Sequence, residues 1–411
     1  MKQILLLLIC FGFYASTIYA QDQCTVVGWA TENDGVTGGE NATPVVVTNH
    51  SELVQAIDNE VSVIHISGTI TFPDNGRITI QDVSGLTIFG LPGAKLVSTD
   101  LTSGGSGIFY IKRVTNLIIQ NITFEGPGAY DEDGYDNLCL DNCQNVWVDH
   151  CDFQDGMDGN FDIKNMSDYV SVTWCIFQYK KDPIAGGSGG SDDHRYTNLI
   201  GSSASAIEDR NHLNTTFQFC WWGEGCRERM PRVRFGKIHM LNNYFSSAVS
   251  SYCARAGEEA NILLEGNYFD DQNGPVDLFK SNAIVAESNN VSTRGSISTQ
   301  NAGSVFSPPY SYVVADPNTI ITPITTCAGA TLPSFGGCSP CAGGDINIPP
   351  SVSLTSPEHG SVFSPGETIT LTASASDSDG SVADVKFYDG TTLIGISTAG
   401  YSVSWSGATE G

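Results

Sequence analysis

The chain has 411 residues and carries 45 Asp and Glu against 19 Lys and Arg, a net charge of −26. So negative a surface repels phosphate backbones, which excludes nucleic acid as a partner. Beyond a short leader no segment approaches the roughly 20 apolar residues of a membrane helix, and the length allows one elongated repeat domain plus an appendage.

Met1 and Lys2, the apolar stretch Ile4–Phe13 and the small Ala20 read as a secretory signal over 1–20, so the mature protein is expected outside the cell. Of the twelve cysteines, all but Cys10 lie beyond it. In an exported chain they are expected to form disulfides, with the odd number leaving at least one thiol. Cys338 and Cys341, in a Gly/Pro/Ser stretch, read as a staple.

Ser51–Val61 has helical spacing through Leu53, Val54, Ala56 and Ile57, and suits a cap over the open end of a solenoid. Val63–Ile70 and Gly85–Leu91 read as first coils. Six segments then share one template of alternating apolar residues with an aromatic eight residues after the start: Asn116–Phe124, Asn145–Phe153, Tyr169–Phe177, Asn214–Trp222, Lys237–Phe245 and Asn261–Phe269. Their starts are separated by 29, 24, 45, 23 and 24 residues. Alternation says strand, and a period in the low twenties with one short strand per unit says solenoid. The leucine-rich-repeat skeleton is absent, so the fold class is all-β, a parallel β-helix over 21–328. Asn121 and Asn242 recur at one position, where stacked amides are expected to bond along a turn. His150 falls at the same position and reads as a hydrogen-bonded rung, with Asp149 facing solvent. The long intervals place extra loop at Gly126–Asp136 and Gln178–Leu213, on what is expected to be the binding face.

Residues 329–350 have a linker composition. Beyond them, Val352–Leu354, Thr368–Ala373, Val385–Tyr388, Thr392–Ile396 and Tyr401–Trp405 read as five strands. An immunoglobulin-like sandwich normally has about seven, so 351–411 reads as a small, partial one.

Two clusters carry the chemistry. Asp136, Asp158 and Asp162 fall on adjacent coils, about 4.8 Å apart in a sheet, and such acids repel unless a cation lies among them. With only hard oxygen ligands on offer, calcium is the natural ion; the other reading is of aspartates that simply make turns beside glycine. Five of the 19 cations fall between Arg227 and Lys237, with Arg232 and Arg234 on one side of an extended segment. A cationic knot in an acidic chain points to a bound anion.

The runs Val146-Trp147-Val148-Asp149-His150, Asp158-Gly159-Asn160-Phe161-Asp162-Ile163-Lys164, Asp168-Tyr169-Val170-Ser171-Val172-Thr173-Trp174 and Arg229-Met230-Pro231-Arg232-Val233-Arg234-Phe235-Gly236 together resemble pectate lyases of polysaccharide lyase family 1. The resemblance covers about residues 24–328 and implies a right-handed parallel β-helix; the tail is similar to bacterial immunoglobulin-like domains. It implies Asp136, Asp158 and Asp162 as calcium ligands, Arg229 as general base, and Lys181 and Arg234, with Arg232 beside them, as grips for substrate carboxylates. Gly134 stands where many members carry another carboxylate, leaving Asp131 or Asp133 to substitute, and Lys181 is reached through a one-residue gap. The implied activity is calcium-dependent β-elimination of α-1,4-linked polygalacturonate to 4,5-unsaturated oligomers, by a monomer with no membrane partner. The alternatives are a pectin lyase acting on methyl-esterified chains and a non-catalytic pectate-binding protein. A polygalacturonase shares the β-helix but hydrolyses with paired carboxylates, which the arginine-rich run argues against.

Overall fold

The computed structural model describes residues 25–337 and 351–406, except 365, 377–381 and 391. The chain divides into two compact units, one built on Gln21–Gly344 and the other on Asp345–Gly411. The expected leader lies outside the described residues, as do Cys24, Cys338, Cys341 and most of the expected linker.

The larger unit is a parallel β-helix of three sheets, with ten, nine and eight strands. Each coil runs from the ten-stranded sheet through a short corner, two residues long in most coils, into the nine-stranded sheet, then by a loop into the eight-stranded sheet. One coil, for example, comprises Thr115–Gln120, Thr123–Glu125 and Leu138–Asp141. The repeated segment is therefore two short strands around a corner. Its aromatic stacks inside, in one column of near-parallel rings: Phe124, Phe153, Phe177, Trp222, Phe245 and Phe269, with centroids 4.4 to 5.3 Å apart. Identical register on successive coils puts each ring over the last, which is why the sequence repeats it. Phe177 is fully buried between Phe153 and Trp222. Phe177→Ala is expected to cost about 3–5 kcal/mol of stability, read from denaturant unfolding, because the rigid coils cannot collapse into the gap.

The helix His50–Asp58 is capped by the Asn49 side chain, which accepts from Glu52 N at 3.0 Å. Its buried Leu53 and Ala56 join the core beside Ile64 and Ile66, covering the first coil as expected.

The corner between the ten- and nine-stranded sheets corrects three expectations. Asn121, His150, Trp174, Phe219, Asn242, Gly266 and Asn289 all occupy it with positive φ. Their side chains point outward. Asn121 exchanges hydrogen bonds with the backbone of Leu332, and Asn242 with that of Val313 and Ala315, so these amides clamp a C-terminal segment. The amide ladder lies one residue later and inward, where Asn243, Asn267 and Asn290 donate and accept in series at 2.8–2.9 Å. His150 stacks on Trp174 instead of standing in that ladder. Asp149 is fully buried, accepting from Gln120, Thr173 and the His150 ring rather than facing water.

The inward position that holds Asn243 holds Cys151, Cys175 and Cys220 on the preceding coils. These are thiols, as are buried Cys139, Cys143, Cys226 and Cys253, so the expected disulfide framework is not what fills the core. In stacked coils of identical register the Cβ vectors run side by side rather than toward each other, and bridging needs them to converge. The thiols donate to strand carbonyls instead, as Cys175 does to Thr173 O at 3.3 Å. Cys327 is disulfide-bonded.

The first residues of the stretch read as linker lie against the β-helix: Gly329 N donates to Trp174 O, and Phe335 packs on His65 and Phe89. The smaller unit holds the five expected strands: an antiparallel three-stranded sheet of Ser351–Ser356, Ile369–Ser376 and Ser402–Trp405, and the hairpin Val385–Asp389 with Thr392–Ser397. Its core gathers Ile369, Leu371, Val385, Phe387 and Trp405.

Candidate active site

The loops that enter the eight-stranded sheet all leave from the same edge of the nine-stranded sheet. Asp136 precedes the strand Leu138–Asp141, Asp158 lies in the next such loop, and Arg229 in the loop before Arg232–Val233. Stacking of coils brings residues far apart in the chain onto one surface. Cys139 pairs with Asp162, Ile163 with Ile200, and Leu199 with Arg232, so the rung of Leu199 stands between the acid Asp162 and the cation Arg232.

Asp136 and Asp162 are buried, each only 4 % exposed. A Cβ built on Gly159 would lie 2.6 Å from Asp136 Oδ1 and 3.4 Å from Asp162 Oδ1. The missing side chain thus lets the two carboxylates share one cradle. Burial, then the charge of Asp162, raises Asp136 well above the usual carboxylate range. Burial also pushes Asp162 up to about 6, with Asp158 adding to the rise while Lys164 and Arg229 oppose it. Asp162 Oδ1 further accepts from Leu199 N at 2.9 Å.

Asp158 is half-buried and turned toward His194, whose Nε2 is 3.0 Å from its Oδ1. Among the described residues no three Asp, Glu, His or Cys side chains gather tightly enough to hold an ion by themselves. The arrangement is a close pair, Asp136 and Asp162, with Asp158 alongside, rather than a closed cage. Hard, anionic and mutually repelling, the pair has the donor chemistry of a calcium site. Asp131 does not complete it: its carboxylate accepts from Ser191 N and lies 2.7 Å from His194 Nδ1. Asp133 is exposed, and a side chain at Gly134 would meet Ser106 and Met157 within about 3 Å.

Arg229 has φ +59° and acts electrostatically on both buried acids. Arg232 opens the strand Arg232–Val233, and Arg234 follows it. Burial, then repulsion from Arg229, lowers Arg232; burial, then repulsion from Arg232 and Arg229, pulls Arg234 down to about 10. Arg234 donates to the carbonyls of Gly201 and Ser202. Lys181 has its Nζ 2.7 Å from Gly126 O and 3.2 Å from Glu125 Oε1.

The cation beside the acids is Lys164, which lay inside a quoted motif but was given no role. Two residues along one strand from Asp162, it shares its face, a signal the alternation already held. Burial would lower its pKa, but Cys139, Asp136 and Asp162 together raise it. His194 and Tyr196 were also missed; they lie in the long 178–213 excursion, which has no periodicity to read.

Residues 3–333 match the family model described as pectate lyase. The chain belongs to the pectate lyase family. It is thereby a polysaccharide lyase, and residues 350–411 match a bacterial Ig domain. Among curated pectate lyases it is 31 % identical over 259 residues to probable pectate lyase B of Aspergillus terreus, covering 61 % of this chain and 70 % of that one. It is 30 % identical over 304 residues to the pectate trisaccharide-lyase of Bacillus licheniformis, covering 69 % and 80 %. The solved thermostable pectate lyase PL 47 shares the fold at TM-score 0.61 and 23 % identity, over 75 % of this chain and 99 % of that one. A pectate lyase bound to a hexasaccharide does so at 0.59 and 21 %, over 74 % and 96 %.

Proposed function

We propose that this pectate lyase is secreted, requires calcium, and cleaves α-1,4-linked polygalacturonate by β-elimination to 4,5-unsaturated oligogalacturonates. The observation that carries the reading is the buried pair Asp136 and Asp162 within electrostatic reach of Arg229, a cation with no ion pair among the described residues. Asp136 and Asp162, with Asp158, would hold calcium, which when bound draws charge from a uronate carboxylate and acidifies the proton α to it.

The chain's own residues do the rest. Arg232 and Arg234 hold uronate carboxylates as cations. Lys181 keeps the gripping role that the resemblance implies, and Lys164, beside the acids, is a further cation for a carboxylate. Arg229 removes the C5 proton; the C–H electrons become the C4–C5 double bond as the C4–O4 bond breaks. The departing oxygen takes a proton from water, and Arg229 later returns its own to solvent, so no water is consumed. An arginine can accept the C5 proton only after losing its own, so turnover is expected to climb through the alkaline range.

The test is ultraviolet absorbance of the unsaturated product on polygalacturonate with calcium, with chelator, and with calcium restored. Activity lost to chelator and regained is expected. Chelator-resistant turnover on methyl-esterified pectin favours a pectin lyase, and no turnover at all favours a binding protein. The apolar start of the chain motivates secretion; in the described residues no helix is long and apolar enough to cross a membrane.

A further inference from the structure

Arg229 is held in an unusual way. The Cζ of its guanidinium lies 4.4 Å from the centroid of the Tyr196 ring, and its Nε is buried with no hydrogen-bond partner. Its neighbours divide: Arg195 and Arg227 pair with Asp193 and Arg255 with Asp277, whereas Arg234 donates to backbone carbonyls and Arg232 lies 5.5 Å from the centroid of the Phe279 ring. Among the described residues Arg229 forms no ion pair.

The Tyr196 ring is fixed from several sides. It packs on His194 at 4.0 Å between centroids, and His194 is itself wedged between Asp131 and Asp158. The Tyr196 carbonyl accepts from Tyr179 Oη. The same segment holds the backbone of Arg229: Tyr196 bridges to Glu228, and Asn198 N donates to Arg229 O at 2.7 Å. Both the main chain and the side chain of Arg229 are therefore set by residues 194–198.

We propose that Tyr196 is a positioning residue for Arg229, an aromatic platform that orients the guanidinium without giving it a carboxylate. A buried ion pair would fix the arginine and also hold its proton in place. A ring attracts the cation only weakly and offers Nε no acceptor. Orientation is thus separated from neutralisation. The proposal rests on Arg229 being the base and adds what aims it.

The test compares Tyr196→Phe, Tyr196→Leu and Arg229→Ala in the full chain, with calcium, on polygalacturonate. Tyr196→Phe should stay within about twofold of wild type, since the ring remains. Tyr196→Leu should lose about 10- to 100-fold in kcat with KM nearly unchanged, as misplaced reacting groups do. Thermal melting of each variant separates this from unfolding, and Tyr196→Met replaces the leucine variant if that one melts early. Unchanged kcat without the ring, a loss confined to KM, or an equal loss in Tyr196→Phe would each overturn the proposal. Arg229→Ala retaining turnover would sink the base assignment itself, whereas an inactive Arg229→Ala beside a fully active Tyr196→Leu would sink only the platform.

Discussion

Arg229→Lys should lower kcat on polygalacturonate by roughly 10³-fold or more while leaving binding of an oligogalacturonate within severalfold of wild type. Lysine keeps the positive charge but not the planar guanidinium that lies on Tyr196. Electrostatic attraction for the substrate therefore survives, whereas proton removal needs the group at one place and angle. Calorimetric titration with a saturated trigalacturonate measures binding, and the rate of unsaturated product measures turnover. Weak binding with proportionate residual turnover would mean that Arg229 grips the substrate rather than reacting with it.

Asp162→Asn should abolish calcium dependence and cost at least about 100-fold in activity, because it removes one of two carboxylates sharing the cradle at Gly159. Stability should change in a way that identifies the cause. In the calcium-free protein Asp162 is pushed up to about 6 by burial, so the folded state holds a proton that the unfolded chain has released. Stability is then greatest at acid pH and falls as pH rises through about 4 to 6, by a few kcal/mol at most. Melting in chelator should thus be lower at pH 8 than at pH 5. Calcium should remove most of that difference by binding the ionised pair. The asparagine variant should show a shallower slope and little response to calcium. A wild-type melting point equally insensitive to pH and to calcium would show that the acids are not a cation site.

The architecture was legible because a coiled sheet repeats itself. Phe124, Phe153 and Phe177 recur at one place in the unit, since each ring needs its equivalent above and below it, and the period follows from the coil. The cysteines misled for a related reason. Residues recurring at coil spacing look like partners in a list of cysteines, yet stacking aligns them side by side, and Cys151, Cys175 and Cys220 remain thiols. Asn121 and Asn242 were recognisably equivalent, but which of two adjacent positions turns inward depends on the left-handed backbone at the corner.

The amino-acid order alone determined the parallel solenoid, its helical cap, the five-stranded appendage and the residue types at the site, because periodic burial writes itself into periodic sequence. The tertiary structure decided which of those residues meet. Only the packing of loops from successive coils brings Asp136 against Asp162 at Gly159, turns Asp158 toward His194, and lays Arg229 across Tyr196. Loops have no period, and their contacts come from neighbours remote in the chain, so that part of the molecule could be known only once folded.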